Sequence, residues 1–163
     1  MIMQRIRQFL IDFVLKERSS SKLAISFCIG AYIAFCPLIG LHTVATLLLC
    51  WFLGLNMAVT FATSCVIHNP WTTIPIYGTD YIFGQWLLHD ICGFDTMAMN
   101  PSWMIFINER LSYYVGLPDI AFWSFMIGGN ILALGISIGI YPLVKRLFVK
   151  LVDQVHGVAG VQG

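Results

Sequence analysis

The chain has 163 residues, of which 58% are hydrophobic and 10% are charged, and its mean hydropathy is +0.81. Soluble domains carry about 25% charged residues, so this composition excludes an ordinary soluble domain and indicates a membrane protein in contact with the lipid bilayer. The formal net charge of +1 also argues against a nucleic-acid partner, which requires a strongly basic surface.

Charged residues are unevenly placed along the chain. None occurs from Leu23 to Thr79, and basic residues flank the apolar region on both sides: Arg5, Arg7, Lys16, Arg18, Lys22, Lys145, Arg146 and Lys150. The positive-inside rule therefore predicts that both termini are cytoplasmic and that the number of membrane crossings is even.

Residues 1–21 are predicted to form an amphipathic basic helix on the cytoplasmic leaflet. Its apolar residues recur at helical spacing: Ile2, Ile6, Phe9, Leu10 and Phe13. Such a helix lies in the interface with its apolar face towards the lipid. A solvated helix packed on a partner protein would show the same pattern.

Two membrane segments are predicted next, over 22–36 and 43–67, separated by the break CPLIGLHT. The second segment would be about 37 Å long at 1.5 Å per residue, which exceeds the ~30 Å hydrocarbon core. It must therefore tilt, or break near Gly54 and Asn56.

Two further membrane segments are predicted over 74–92 and 120–144. The first is unusually polar for a span, and the second is uncharged and ends at Lys145 and Arg146. Between them, Asn100 as N-cap and Pro101 at the first helical position predict an interfacial helix over 101–115. Residues 151–163 are predicted to be a short cytoplasmic tail.

These segments predict an all-α, multi-pass helical membrane protein with four crossings and one membrane domain over 22–150. The segment over 22–36 is short for a crossing, at about 22 Å. The alternative topology therefore has re-entrant hairpins formed by the segments that flank each break.

The breaks CPLIGLHT and IHNPWTTIPIYG are the candidate binding region. Irregular backbone at membrane depth persists where it is buried in protein or lines a wet cavity, and interrupted segments mark the binding sites of transporters. The predicted substrate-binding residues of the breaks are Pro37, Gly40, His42, Asn69, Pro70, Thr72, Thr73 and Pro75. Ordinary turns at the two membrane faces are the alternative interpretation.

Asp80 completes the candidate site. It is the one carboxylate well inside a predicted span, where an ionisable side chain indicates function and requires a partner. His42 or His68 is the predicted partner. If the span instead starts near Tyr81, Asp80 is an interfacial charge.

Metal binding and catalysis have weak signals. Cys65 with His68, and His89 with Cys92, have i, i+3 spacing but match no recognised zinc motif. No GxSxG, Walker-type, HExxH or dinucleotide motif occurs. The sequence therefore predicts no metal, no cofactor and no enzyme.

The pattern of the breaks resembles a bacterial membrane family called domain of unknown function 2062. The matching stretches are FCIGAYIAF, CPLIGLHT, GLNMA and HNPWTTIP, and the N-P-x-T-x-x-P element in the last is the most specific. The chain departs from the family pattern at Ile39, Met57 and Ala58. The resemblance covers about Lys16 to Lys150 and implies a bacterial inner-membrane protein, without implying an activity.

Two hypotheses for function follow. The first is transport or binding of an envelope-related solute, anionic or lipid-linked, through a polar pocket formed by the two broken segments. The alternative is a non-catalytic membrane scaffold or accessory subunit. Gly128, Gly135 and Gly139 lie on one helix face, which allows close contact with a second copy or with a membrane-protein partner.

Overall fold

The structure, a computed structural model, describes residues 19–37, 41–115 and 120–159, with side chains described outside 110–115 and 155–159. Its helices are α1 Ser20–Phe35, α2 His42–Leu53, α3 Met57–Ile67, α4 Pro70–Gln85, α5 Ser102–Val115 and α6 Phe122–Ala159, with a π-helical segment over Trp86–Ile91. No strand occurs in these ranges, so the predicted all-α class is confirmed. Most of the predicted helix over 1–21, and Gly40, lie outside them.

Helix α1 lies at the centre of the packing. It contacts α6 on one side and α3 on the other, while α4 packs against α6 and α2 lies on α3 and α1. Leu23, Ala24, Ile33 and Ala34 of α1 have no exposed surface. A helix buried on several sides explains why α1 is apolar around most of its circumference.

Helices α2 and α3 form a hairpin, although a single segment was predicted over 43–67. Gly54 ends α2 in the left-handed conformation at a φ of 60°, which glycine adopts without the steric cost of a Cβ. Asn56 then caps α3 by accepting a hydrogen bond from the Val59 amide, and its own amide donates to the buried Ser26 hydroxyl at 2.8 Å. The break near Gly54 and Asn56 is therefore a turn anchored to α1.

Helix α4 begins at Pro70, four residues before the predicted segment 74–92. The Asn69 side chain accepts from the amides of Trp71 and Thr72, and the Thr72 hydroxyl accepts from the Asn69 amide. This reciprocal capping box, with proline at the first helical position, nucleates the helix. The motif N-P-x-T is therefore a helix start.

Helix α5 occupies nearly the predicted range 101–115 and is held against the start of α6. The Asn108 side-chain amide donates to the carbonyl of Ile120 and accepts from its amide, at 3.0 and 3.2 Å. Asn100 accepts from the Phe122 amide at 2.8 Å. Two side-chain amides thus satisfy backbone groups at a helix end that would otherwise be unpaired.

Helix α6 is much longer than the predicted segment 120–144 and continues into the predicted tail 151–163. Its 38 residues span about 57 Å, because the residues after Lys145 include good helix formers and no glycine or proline before Gly157. By length and composition, the stretch Phe122–Gln154 is the one helix among the described residues that could cross a membrane. Four crossings are therefore not established by the helix lengths.

Candidate functional site

The two sequence breaks meet in the folded chain. The ring of His42, at the start of α2, stacks on the ring of His68, just before α4, with centroids 4.3 Å apart and an interplanar angle of 29°. Nδ1 of His68 lies 3.1 Å from the Ala34 carbonyl oxygen near the end of α1. The end of α1 and the starts of α2 and α4 are therefore held together by one histidine pair.

Tyr77 extends this contact towards α6. Its ring centroid lies 5.5 Å from that of His68 and 5.2 Å from that of Phe125, the second pair being edge to face. Edge-to-face packing is favourable for aromatic rings at this separation. Tyr77 thus connects the histidine pair with α6.

Asp80 lies one helical turn beyond Tyr77 and is completely buried. Neither of its carboxylate oxygens has a hydrogen-bond partner among the residues that the structure describes. No hydrogen bond therefore joins Asp80 to His42 or His68, whose rings stack on each other, and the predicted partnership with one of these histidines stays a prediction. Its burial by neighbouring helices does not depend on its depth in a membrane, so the alternative of an interfacial position also stays a prediction.

The Asp80 carboxyl group lies in a space that exists because α6 has a glycine there. A Cβ added to Gly129 would lie 3.2 Å from the Asp80 carboxyl carbon and 2.9 Å from Cδ of Pro37. Gly129 therefore lets the Asp80 side chain and the Pro37 ring approach the α6 backbone together.

The Asp80 carboxylate is electrostatically close to two other titratable groups. It acts on the Cys36 thiol and on the Tyr77 hydroxyl, and neither of these groups carries positive charge. A buried carboxylate without a counter-charge is very costly. Among the described residues, the groups on which Asp80 acts therefore offer it no counter-charge. We call Cys36, His42, His68, Tyr77 and Asp80 the junction cluster.

Asn130 of α6 joins the junction cluster to α1. Its Oδ1 accepts from the Tyr32 hydroxyl at 2.7 Å and from the Cys36 thiol at 3.3 Å, and its Nδ2 donates to the Met126 carbonyl at 2.8 Å. Both acceptor positions of the oxygen and one of the two N–H donors are used in this way. Asn130 therefore fixes Cys36 beside Asp80.

A family model described as an uncharacterised protein conserved in bacteria (DUF2062) matches residues 3–156 of the chain. The chain belongs to this family. The resemblance seen in the break motifs is thereby confirmed over nearly the whole DUF2062 chain. No curated protein and no solved structure matches it.

Several residues predicted to bind substrate have structural roles in this DUF2062 protein. Asn69 and Thr72 use their polar atoms in the cap of α4, where the Thr72 hydroxyl also bonds the Ile67 carbonyl. Pro70 and Pro75 are exposed on α4. Solute binding by these four residues stays a prediction, but their position in the fold is explained without it.

Thr73 and Pro37 are placed at the junction cluster itself. The Thr73 hydroxyl donates to the Asn69 carbonyl at 2.7 Å and lies 3.5 Å from Nε2 of His68, while Pro37 is fully buried against Gly129. The second break thus contributes His68, Thr73 and Tyr77, the part of α4 just after it contributes Asp80, and the first break contributes Cys36, Pro37 and His42.

Sequence reasoning did not assign Cys36, Tyr77, Gly129 and Asn130 to the site. Asn130 did offer a signal, because it is the one amide side chain in the uncharged run over 120–144, and a polar residue there faces the protein interior. Gly129 offered none, since a glycine's packing partner is not visible in the sequence.

Metal ligands are not grouped in the described residues, where no set of three or more His, Cys, Asp or Glu side chains could hold an ion. Cys65 and Cys92 are exposed, and His89 bonds its neighbour Asp90 at 3.0 Å.

A cleft of about 320 Å³ lies away from the junction cluster, beside Asn100 and Asn108. The side-chain amides of these two residues are already bonded to the start of α6.

Proposed function

We propose that this DUF2062 protein is a multi-pass protein of the bacterial inner membrane that binds or transports an envelope-related solute at the junction cluster. The proposal rests on one observation above the others. Both sequence breaks converge on Asp80, which has no exposed surface and no bonded partner among the described residues. An ionisable side chain kept at depth at such a cost indicates a solute or ion pathway.

The short helices support a re-entrant arrangement around that site. Helices α2 and α3, of 12 and 11 residues, are each about 17 to 18 Å long, too short for the ~30 Å hydrocarbon core. The stacking of His42 on His68 brings both ends of the hairpin to one place. In this proposal the α2–α3 hairpin enters and leaves on the same side, as the broken segments of transporters do around a central site.

Cys36 provides a native probe of this proposal. It is 3% exposed and belongs to the junction cluster, while Cys28 of the same helix is 7% exposed and lies outside it. We expect a protein that retains only Cys36 to react with a small, membrane-impermeant thiol reagent in membranes, because a transport site must open to water. A protein that retains only Cys28 should stay unlabelled. The measurement is labelled fraction against time, with reagent added from each side.

Thr73→Cys in a protein without other cysteines repeats this test at a second position, in case the Cys36 thiol reacts too slowly when buried. Labelling of Cys36 or of the cysteine at position 73, but not of Cys28, would support an aqueous path to the site. If neither junction position is labelled from either side, the transport proposal fails.

A scaffold function is the second candidate, favoured by the surface of α6. Gly128, predicted on the same face, is instead buried against Gly84 of α4, whereas Gly135 and Gly139 are exposed and a Cβ added to either would meet no atom within 4 Å. In membranes, such small-residue faces let a second helix approach closely. The proposed partner is a second copy of this chain or an envelope-biogenesis membrane protein.

Gly135→Leu tests the scaffold proposal. We expect it to reduce an oligomer to single chains of 18.3 kDa, because a leucine keeps a neighbouring helix backbone at a distance. The measurement is light scattering on detergent-solubilised protein. Gly78→Leu, at an equally open glycine of α4, is the control and should leave the mass unchanged. An unchanged mass in Gly135→Leu would contradict assembly through this face.

A further inference from the structure

Two ionisable side chains of the junction cluster contain buried polar atoms that bond to nothing in the described structure. They are both oxygens of Asp80 and Nε2 of His42. Buried polar groups are normally satisfied, and an unpaired one requires a specific explanation. A group that gains and loses a proton during function provides one, because its bonding needs differ between its two states.

His68 has a defined tautomer in this arrangement. A carbonyl oxygen only accepts hydrogen bonds, so the contact with Ala34 at 3.1 Å requires the proton on Nδ1. Nε2 then carries a lone pair. The Thr73 hydroxyl, 3.5 Å from Nε2, already donates to the Asn69 carbonyl. Its oxygen is therefore free to accept a hydrogen bond when Nε2 gains a proton.

The two stacked imidazole rings can carry one positive charge at a time. Two imidazolium rings stacked 4.3 Å apart would repel each other, because a nearby like charge disfavours the charged form. One imidazolium stacked on a neutral imidazole is free of that repulsion. The pair is therefore a single proton acceptor shared by the two breaks.

We infer that Asp80 binds the proton that drives the proposed transport, and that the His42–His68 pair receives it. In this step Asp80 loses one proton and becomes a carboxylate, while His68 gains one at Nε2 and becomes an imidazolium. Tyr77 is a neighbour of both groups, because its ring lies 5.5 Å from that of His68 and its hydroxyl is within electrostatic reach of Asp80. The inference rests on the proposed function and names the ion that it uses.

The surroundings of Asp80 favour a proton over a metal cation. The titratable groups that face it are the Cys36 thiol from the end of α1, with Tyr32 behind it through Asn130, and Tyr77 from α4 itself. Helix α6 presents Gly128, Gly129 and Asn130 on this side, none of which titrates. No second carboxylate joins Asp80 among the described residues, whereas Ca²⁺ and Mg²⁺ require several oxygen ligands and a single proton neutralises one carboxylate.

Infrared difference spectroscopy of the full chain in lipid nanodiscs tests the inference directly. We expect a protonated-carboxyl band that disappears as the pH is raised, because Asp80 then loses its proton. The band should be lost in Asp80→Asn and shifted in Asp80→Glu, which is the second variant if Asp80→Asn does not fold. Asp90→Asn, at an exposed carboxyl, should leave it unchanged. His68→Gln should displace its pH midpoint, since it removes the proton acceptor.

Each other result overturns the inference. Identical spectra of the wild type and Asp80→Asn at every pH would mean that Asp80 never holds a proton. A band that persists at every pH would mean a permanently neutral acid. A midpoint unaffected by His68→Gln would exclude the histidine pair as acceptor, and loss of the band on adding Na⁺ at constant pH would make this a sodium site. Labelling of Cys36 together with any of these results would leave the transport proposal standing without the proton.

Discussion

Gly84→Ala is expected to be among the most destabilising single substitutions in this protein. A Cβ on Gly84 would overlap the backbone carbonyl of Ser124 and reach the Cα of Gly128. Overpacking costs about 1 to 3 kcal/mol or more, and here the obstacle is backbone, which cannot rotate away. We expect a loss of about 3 kcal/mol of unfolding free energy, or about 6 to 12 °C in melting temperature.

Gly78→Ala is the matched control on the same helix. A Cβ on Gly78 would meet no atom within 4 Å, so the alanine should stabilise α4 by about 0.5 to 1 kcal/mol through reduced backbone entropy in the unfolded chain. Thermal unfolding of the purified proteins in one detergent measures both. Equal destabilisation at positions 78 and 84 would show that α4 and α6 do not cross at these glycines.

Asp80→Asn is expected to give a protein at least as stable as the wild type that has lost its proton site. The substitution keeps the shape of the side chain but removes the group that can be charged. Because the amide is never charged, the variant never bears the cost of a carboxylate buried at this position. An increase of 1 kcal/mol in unfolding free energy would raise the melting temperature by about 2 to 4 °C. A residue that is retained for function although it lowers stability is expected to give an equally or more stable protein when it is replaced.

The control for Asp80→Asn is Asp95→Asn, at an exposed carboxylate in the loop before α5. It should change the unfolding free energy by no more than about 0.5 kcal/mol. A strong loss of stability in Asp80→Asn alone would contradict the expectation, because it would mean that the carboxylate makes a native interaction that the amide cannot replace.

The glycine contacts and the junction cluster depend on the same part of α6. Gly128 lets the backbone of α4 approach, and Gly129 leaves room for the Asp80 carboxyl and the Pro37 ring. A substitution that moves α4 away at Gly128 would therefore also move Asp80. Gly129→Ala should disturb the site with less effect on the helix crossing, since its neighbours are side chains.

Local features of the fold were predictable from the sequence because they depend on residues a few positions apart. The cap of α4 at Asn69 and Pro70, and the start of α5 after Asn100 and Pro101, follow from the hydrogen-bonding capacity of these side chains and the fixed φ of proline. For the segment 43–67 the sequence allowed either a tilt or a break near Gly54. The break forms in the folded chain, where the Ser26 hydroxyl of α1 accepts a hydrogen bond from the Asn56 amide.

The sequence alone determined the all-α class, the apolar composition suited to a membrane, the membership of a bacterial family and the position of the two breaks. These properties are carried by composition, periodicity and short motifs. Only the tertiary structure decided that the breaks meet, that His42 stacks on His68, and that Asp80 is buried without a hydrogen-bond partner among the described residues. Those contacts join residues far apart in the chain, and they depend on which glycines of α4 and α6 face each other, which no local pattern records.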